Sequence, residues 1–392
     1  MHNSILNPGE GNYIYTNPSV FYAGQANAGP PNIESKKISQ KVFLQRFANR
    51  LESAQSIADT DSYYTTHETK APPFDIDIVF TWVQTTPEFN AKKALWLEKS
   101  KKPSDNNNNR YSNSEELKFA IRSVYKYAPW VRHIYVVTND DQTPDFVSEN
   151  SANCPIPVYI VPHSILYEGS FRAHLPTFNS QSIETHLYKI PGLAERFCYF
   201  NDDQFIGNHV QWDDFFTSEG LPKIVQGGIA ATGKKLPTMS KNAMAWINNN
   251  NLLDKVFPQH RNALRRCHIH QGVALLKSKF KQCWEHPIIR PYIEKTSLSK
   301  FRMDSDLYLI GFLVHFTLYQ QKAVLSDISN FYVQLTDPAS YSAIFEALIL
   351  QKPKLICIND GVTTKRKLHN TLLTIFLEML FPEPAPSEEV VF

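Results

Sequence analysis

Residues 113–138 read NSEELKFAIRSVYKYAPWVRHIYVVT. Leu117, Ile121, Val124 and Ala128 recur at helical spacing, Asn113 and Glu116 stand at capping-box spacing, and Pro129 marks a stop. The segment therefore predicts a helix followed by a strand, HIYVVT, at 133–138. Upstream, DIDIVFTW (75–82) reads as a second strand with its apolar centre at Ile78–Phe80. Strand, helix and strand in that order predict a parallel pair joined by a crossover, the unit of an α/β sheet. VYIV (158–161) supplies a third strand. TFNSQSIETHLYKIPGL (177–193) predicts another helix, capped by Asn179 or Ser180 and ended by Pro191-Gly192, and RFCYF (196–200) a short buried strand.

The acidic pair Asp202-Asp203 then falls just past the C-terminal end of a strand, the edge at which open α/β sheets bind ligands. Adjacent carboxylates repel each other, and a hard divalent cation relieves that repulsion through oxygen ligands. Mg²⁺ typically takes one or two carboxylates together with substrate phosphates, so the pair fits a phosphate-bearing substrate. A solvated turn, or capping by Asn201 and Asp202, is the plain alternative. KLICIND (354–360) repeats the theme: an apolar strand ends in Asn359-Asp360, although Asp360-Gly361 is also a turn signal.

CHIHQG (267–272) places His268 and His270 two apart, on one face if the segment is a strand. Either suits a general base. No third His, Cys or carboxylate stands nearby at zinc spacing, so zinc is not expected. In SKFRMDSDLY (299–308), Arg302 precedes Asp306 by one helical turn. That spacing reads as an ordinary ion pair, or as an arginine that neutralises a phosphate while the aspartate orients it.

Composition sets the bounds. The chain has 392 residues, 42% hydrophobic and 20% charged, with a net charge of +2. This is a globular composition, and its charge gives no reason to invoke nucleic acid. The five cysteines are widely spaced and form no CxxC pair, which fits a reducing interior. The N-terminus lacks the basic start and apolar core of a signal peptide. The most apolar window, Leu307–Tyr319, is too short for the roughly 20 residues of a membrane span, and reads as a buried helix with Asp304 and Asp306 near its start. GKK at 233–235 lacks the Ser or Thr that would complete a phosphate-binding Walker loop. The expected organisation is a peripheral extension at 1–74 with a helical patch at Lys41–Ala54, a main domain at 75–381 and a tail at 382–392. The asparagine run 106–109 reads as a loop, 208–290 resists reading, and TLLTIFLEMLF (371–381) is an amphipathic helix expected to pack on the core.

DIDIVFTWV, ELKFAIRSVYKYAPWVRHIYVVTNDDQTP, LPTFNSQSIETHLYKIPGLAERFCYFNDD and LICIND stand in the order of the four conserved regions of the Stealth family, and the chain resembles its compact bacterial members. The resemblance runs from about Asp75 to Asp360. It implies an α/β, Rossmann-like core related to nucleotide-sugar transferases of GT-A type, with helical additions. It implies transfer of N-acetylhexosamine 1-phosphate from a UDP-sugar to a hydroxyl of a growing capsular polysaccharide, with release of UMP. UDP-N-acetylglucosamine and UDP-N-acetylmannosamine both suit as donor. The implied cofactor is Mg²⁺, with Mn²⁺ as the alternative. The implied location is cytoplasmic, free or peripheral at the inner membrane or a capsule-assembly complex.

Carried onto this chain, Asp203 matches the essential second Asp of the acidic motif, with Asp202 beside it at the metal. Arg302 and Asp306 match the family's Arg and Asp, Asn359 the Asn of the last motif, and His270, in preference to His268, the family histidine. Trp82, Gln84, Arg122 and Asn179 match positions lining the donor site. Two departures stand out: TWVQTT where the family continues TWVDG or TWVNG, and Ala120 in place of a serine. A glycosyltransferase releasing UDP, and a non-catalytic subunit of a capsule complex, are the competing readings.

Overall fold

A computed structural model describes residues 40–62, 69–100, 115–362 and 365–389. Asn113, the asparagine run and most of the N-terminal stretch lie outside the described residues. The first half carries α1 (Gln40–Ser62), β1 (Ile76–Thr81), α2 (Pro87–Ser100), α3 (Glu116–Tyr127), β2 (Ile134–Thr138), β3 (Val158–Pro162), α4 (His163–Leu166), α5 (Ser180–Glu184), β4 (Arg196–Asn201) and β5 (Gln204–Ile206). Next come β6 (Lys223–Ile229), α6 (Lys241–Val256), β7 (Arg266–His268), β8 (Val273–Leu276), α7 (Lys277–Glu285), α8 (Arg290–Ser297) and α9 (Leu309–Tyr319). The chain ends with β9 (Val324–Ser326), β10 (Asn330–Leu335), α10 (Tyr341–Gln351), β11 (Leu355–Asp360) and α11 (Arg366–Leu380).

The main sheet has the order β3-β2-β1-β4-β8. Its first four strands are parallel, and β8 closes the edge antiparallel to β4. Strands covered on both faces are apolar almost throughout, as β1 and β2 are. One face, through Ile78, Phe80, Ile134 and Val136, packs on α3 and α11. The other, through Val79, Tyr135, Val137 and Tyr199, packs on α7, α8 and α9. The fold is therefore α/β, with a Rossmann-like central sheet. Chain order reverses between β1 and β4, so their C-terminal ends open a crevice at the switch point.

Two three-stranded sheets flank this one, β10-β11-β5 and β7-β6-β9. The turn after β4 passes directly into β5, and the loop after β7 passes directly into β8. Both connections leave one sheet and enter another beside the crevice.

The extension is not wholly peripheral. Phe47, Leu51, Ala54 and Ala58 of α1 are buried in the same cluster as Phe345 of α10 and Phe376 of α11. The tail is also tied in: Glu388 forms a bridge with Val147 and an ion pair with Arg122 at 2.6 Å. The long helix expected over 177–193 is instead the short α5 followed by a 3-10 turn at Leu187–Lys189. The α9 and α11 helices are buried as expected. Among the described residues, no helix is long and apolar enough to cross a membrane.

Candidate active site

The acidic pair occupies the turn between β4 and β5, past the end of a strand whose last residue, Asn201, pairs with Thr81 of β1. Both carboxylates are partly buried. Burial, then the charge of Asp203, pushes Asp202 up to about 7, and burial pushes Asp203 up to about 6. The Asp203 carbonyl accepts a hydrogen bond from Ile358 N (3.0 Å), which fastens the turn to β11. Cys357 Sγ donates to Asp203 Oδ2 at 3.8 Å, while Asp203 Oδ1 is buried and has no hydrogen-bond partner. An acceptor-only oxygen left bare beside a second carboxylate is a fit for a hard cation.

β11 forms the floor. Cys357 is set against the acidic turn by its thiol, and Asn359 lies two residues on, on the same face of β11. The two histidines separate. His268, at the end of β7, is buried, with Nδ1 against Ile269 O (2.6 Å) and Nε2 against the Tyr308 hydroxyl (2.8 Å). It is neutral, since burial lowers it to about 4, and it positions Tyr308. His270 lies in the loop leading to β8, where ligand atoms of His270, Asp203 and Cys357 all lie within 4.8 Å of one another. Burial, then the charge of Arg302, lowers His270 to about 4.

Arg302 and Asp306 do not form the expected helical pair, because α9 begins only at Leu309. Arg302 Nη2 donates to Ser180 Oγ at 2.8 Å, and its charge acts on Glu184, His270 and Asp306. Asp306 is a structural anchor: it accepts from Asn179 Nδ2 (2.9 Å), Ser299 Oγ (2.8 Å) and Met303 N (2.7 Å). Asn179 also caps α5 through its Oδ1, which accepts from Gln181 N at 3.1 Å. Asn179 thus ties the Arg302 loop to α5.

At the other lip, Trp82 is buried with its Nε1 unpartnered, and the backbone of Gln84 is pinned by the Gln142 side chain (3.0 and 2.5 Å). Arg122 is not at the crevice. It is committed to Glu388 and to Phe381 O (2.9 Å), so its role is to hold the C-terminal segment, correcting the donor-site expectation.

Stealth protein conserved region 2 matches residues 110–224 of the chain. A capsular polysaccharide phosphotransferase of Haemophilus influenzae is 30% identical across 93% of this chain and 98% of its own length. The chain belongs to the Stealth family. An exopolysaccharide phosphotransferase of Streptomyces coelicolor is 31% identical across 80% of this Stealth chain and 57% of its own. Mouse xyloside xylosyltransferase 1, in its apo form, is similar in shape at TM-score 0.36 and 10% identity, over 73% of this chain and 98% of that one. A likeness so distant says nothing of activity.

The structure of this Stealth enzyme adds residues that sequence reading missed. Glu184 is buried against the Tyr199 hydroxyl (3.3 Å), which also contacts Thr81 Oγ1 (2.9 Å) and Asn201 Oδ1 (3.1 Å). Its Oε2 has no hydrogen bond, and burial, only partly offset by Arg302, pushes the carboxyl up to about 7. A carboxyl so placed between the β4 end and Arg302 is a further candidate site residue. Its sequence signal is slight, a lone acid in a helix read for its apolar face. Cys357 was hidden for a different reason, because a cysteine inside LICIND reads as one more core residue.

Proposed function

We propose that this enzyme transfers N-acetylhexosamine 1-phosphate from a UDP-sugar to a hydroxyl of a growing capsular polysaccharide, in the cytoplasm or docked at the inner face of the membrane. The acceptor oxygen attacks the phosphorus that bears the sugar, the bridge to the uridine phosphate breaks, and UMP leaves. The observation that carries this reading is the meeting of an acidic pair, a neutral histidine and an arginine at the switch-point edge. The names of the relatives support it.

His270 takes the proton of the acceptor hydroxyl. Burial, and then the charge of Arg302, depress its basicity in the free enzyme, and an anionic diphosphate bound beside them offsets the part due to Arg302. Arg302 neutralises the transferred phosphoryl group, held in place by Ser180, while Asp306 and Asn179 fix its loop. Asn359 bonds the donor from the floor, and Trp82 and Gln84 line its nucleoside end. Asp202 and Asp203 would hold Mg²⁺ or Mn²⁺, which when bound neutralises charge on the leaving nucleotide.

The test is the nucleotide product. The protein is incubated with Mg²⁺, a capsule-type oligosaccharide and each UDP-N-acetylhexosamine in turn. UMP is the expected product. UDP in its place would mean cleavage of the sugar–oxygen bond and would overturn the reaction.

A further inference from the structure

Asp203, His270 and Cys357 come from three distant parts of the chain, so no local spacing announces them. Their donor atoms nevertheless all lie within 4.8 Å of one another. In a tetrahedral zinc site, bonds of about 2.0–2.3 Å put neighbouring ligand atoms roughly 3.5 Å apart. Cys357 Sγ and Asp203 Oδ2 are already at 3.8 Å, so side-chain movement of about an ångström would complete the set. Asp203 Oδ1 is buried with no hydrogen bond, which leaves one oxygen unclaimed. The donors are one sulfur, one imidazole nitrogen and one carboxylate oxygen. Mg²⁺ wants oxygen throughout, whereas sulfur and imidazole favour Zn²⁺. Three protein donors leave a fourth position for water.

We propose that Asp203, His270 and Cys357 form a site for a thiophilic divalent cation, zinc above all, and that filling it shuts transfer off. On binding, the Cys357 thiol gives its proton to solvent and the thiolate bonds the metal. The ion then occupies the two groups that transfer uses, a carboxylate and the base. The binding half of the proposal stands on the three side chains. The inhibitory half rests on the proposed roles of Asp203 and His270.

The experiment uses the full-length protein, stripped with a chelator and titrated with Co²⁺ as a coloured stand-in for zinc. One equivalent should raise a thiolate-to-cobalt charge-transfer band, which Zn²⁺ discharges and Cys357→Ser lacks. In the UMP assay, Zn²⁺ should inhibit the Mg²⁺-supported reaction. Its half-inhibitory concentration should rise at least tenfold in Cys357→Ser, each protein being scored against its own uninhibited rate. Absence of the band in the wild type, or equal zinc sensitivity in the variant, overturns the site. Should Cys357→Ser fail to melt cooperatively, Asp203→Asn is read in the same cobalt titration, and unchanged affinity overturns the proposal. If no UMP forms under any condition, the cobalt band still decides the site, and the failure belongs to the proposed reaction.

Discussion

Burial keeps the Glu184 carboxyl protonated up to about 7, where 4.5 is its ordinary value. Between those limits the folded chain holds a proton that the unfolded chain has lost, so folding stability falls as pH rises through that window and levels off above it. Glu184→Gln removes the dependence. Thermal melts without metal or donor should show the variant more stable than wild type at pH 8, by about 3 kcal/mol, with the gain gone near pH 4.5. Its transfer rate should fall chiefly above pH 7, where the wild-type carboxyl is ionised and Arg302 loses a charged neighbour. Asp203→Ala and Arg302→Ala should each lower turnover by about 10³ or more while still melting cooperatively. Activity near wild type in either would sink the assignment. Among these candidates, Asp203 stood out as one of a like-charged pair after an apolar strand, whereas Arg302 and His270 were singled out by the family resemblance, their own spacings reading equally well as an ordinary ion pair and a strand face. Glu184 and Cys357 were not legible, since nothing in their own segments distinguishes them from a helix face or a core strand.

Strands were the clearest elements to read, because both faces of β1, β2 and β4 are covered and the sequence there is nearly all apolar. By contrast, α2 was missed. It buries only Phe89 and Lys93, so no periodic face marks it. The short α5 holds its place by its cap: Asn179 serves Gln181 N with one atom and Asp306 with another. Asn179→Ala should cost about 1 kcal/mol for the cap and more for the weakened Asp306 anchor, seen as a lower Tm with a reduced transfer rate. Gly272, where the His270 loop enters β8, sits against Phe200, and an added Cβ would meet its ring at 2.1 Å. Gly272→Ala should destabilise by about 1–3 kcal/mol on chemical denaturation, and it should disturb the His270 loop as well.

The molecule extends beyond the segment bounded by the family motifs. α1 packs into the core through Phe47 and Leu51, and the C-terminal segment holds Arg122 through a nearly buried ion pair with Glu388. Deleting residues 382–392 strands that guanidinium and should cost about 3–5 kcal/mol, measured by denaturation of the shortened chain. Neither arrangement was legible, since each joins residues hundreds of positions apart. The same long reach governs the crevice. Its acidic turn leads into β5, a three-residue strand whose pairing partner is β11. During synthesis the chain leaves the ribosome N-terminus first. A nascent chain that has released both aspartates, both histidines and Arg302 still lacks the strand that clasps the turn from below. Until Leu355–Asp360 emerges, the growing polypeptide carries most of its chemical groups but no assembled crevice, so catalytic competence waits on a strand translated long after the acidic turn it clasps.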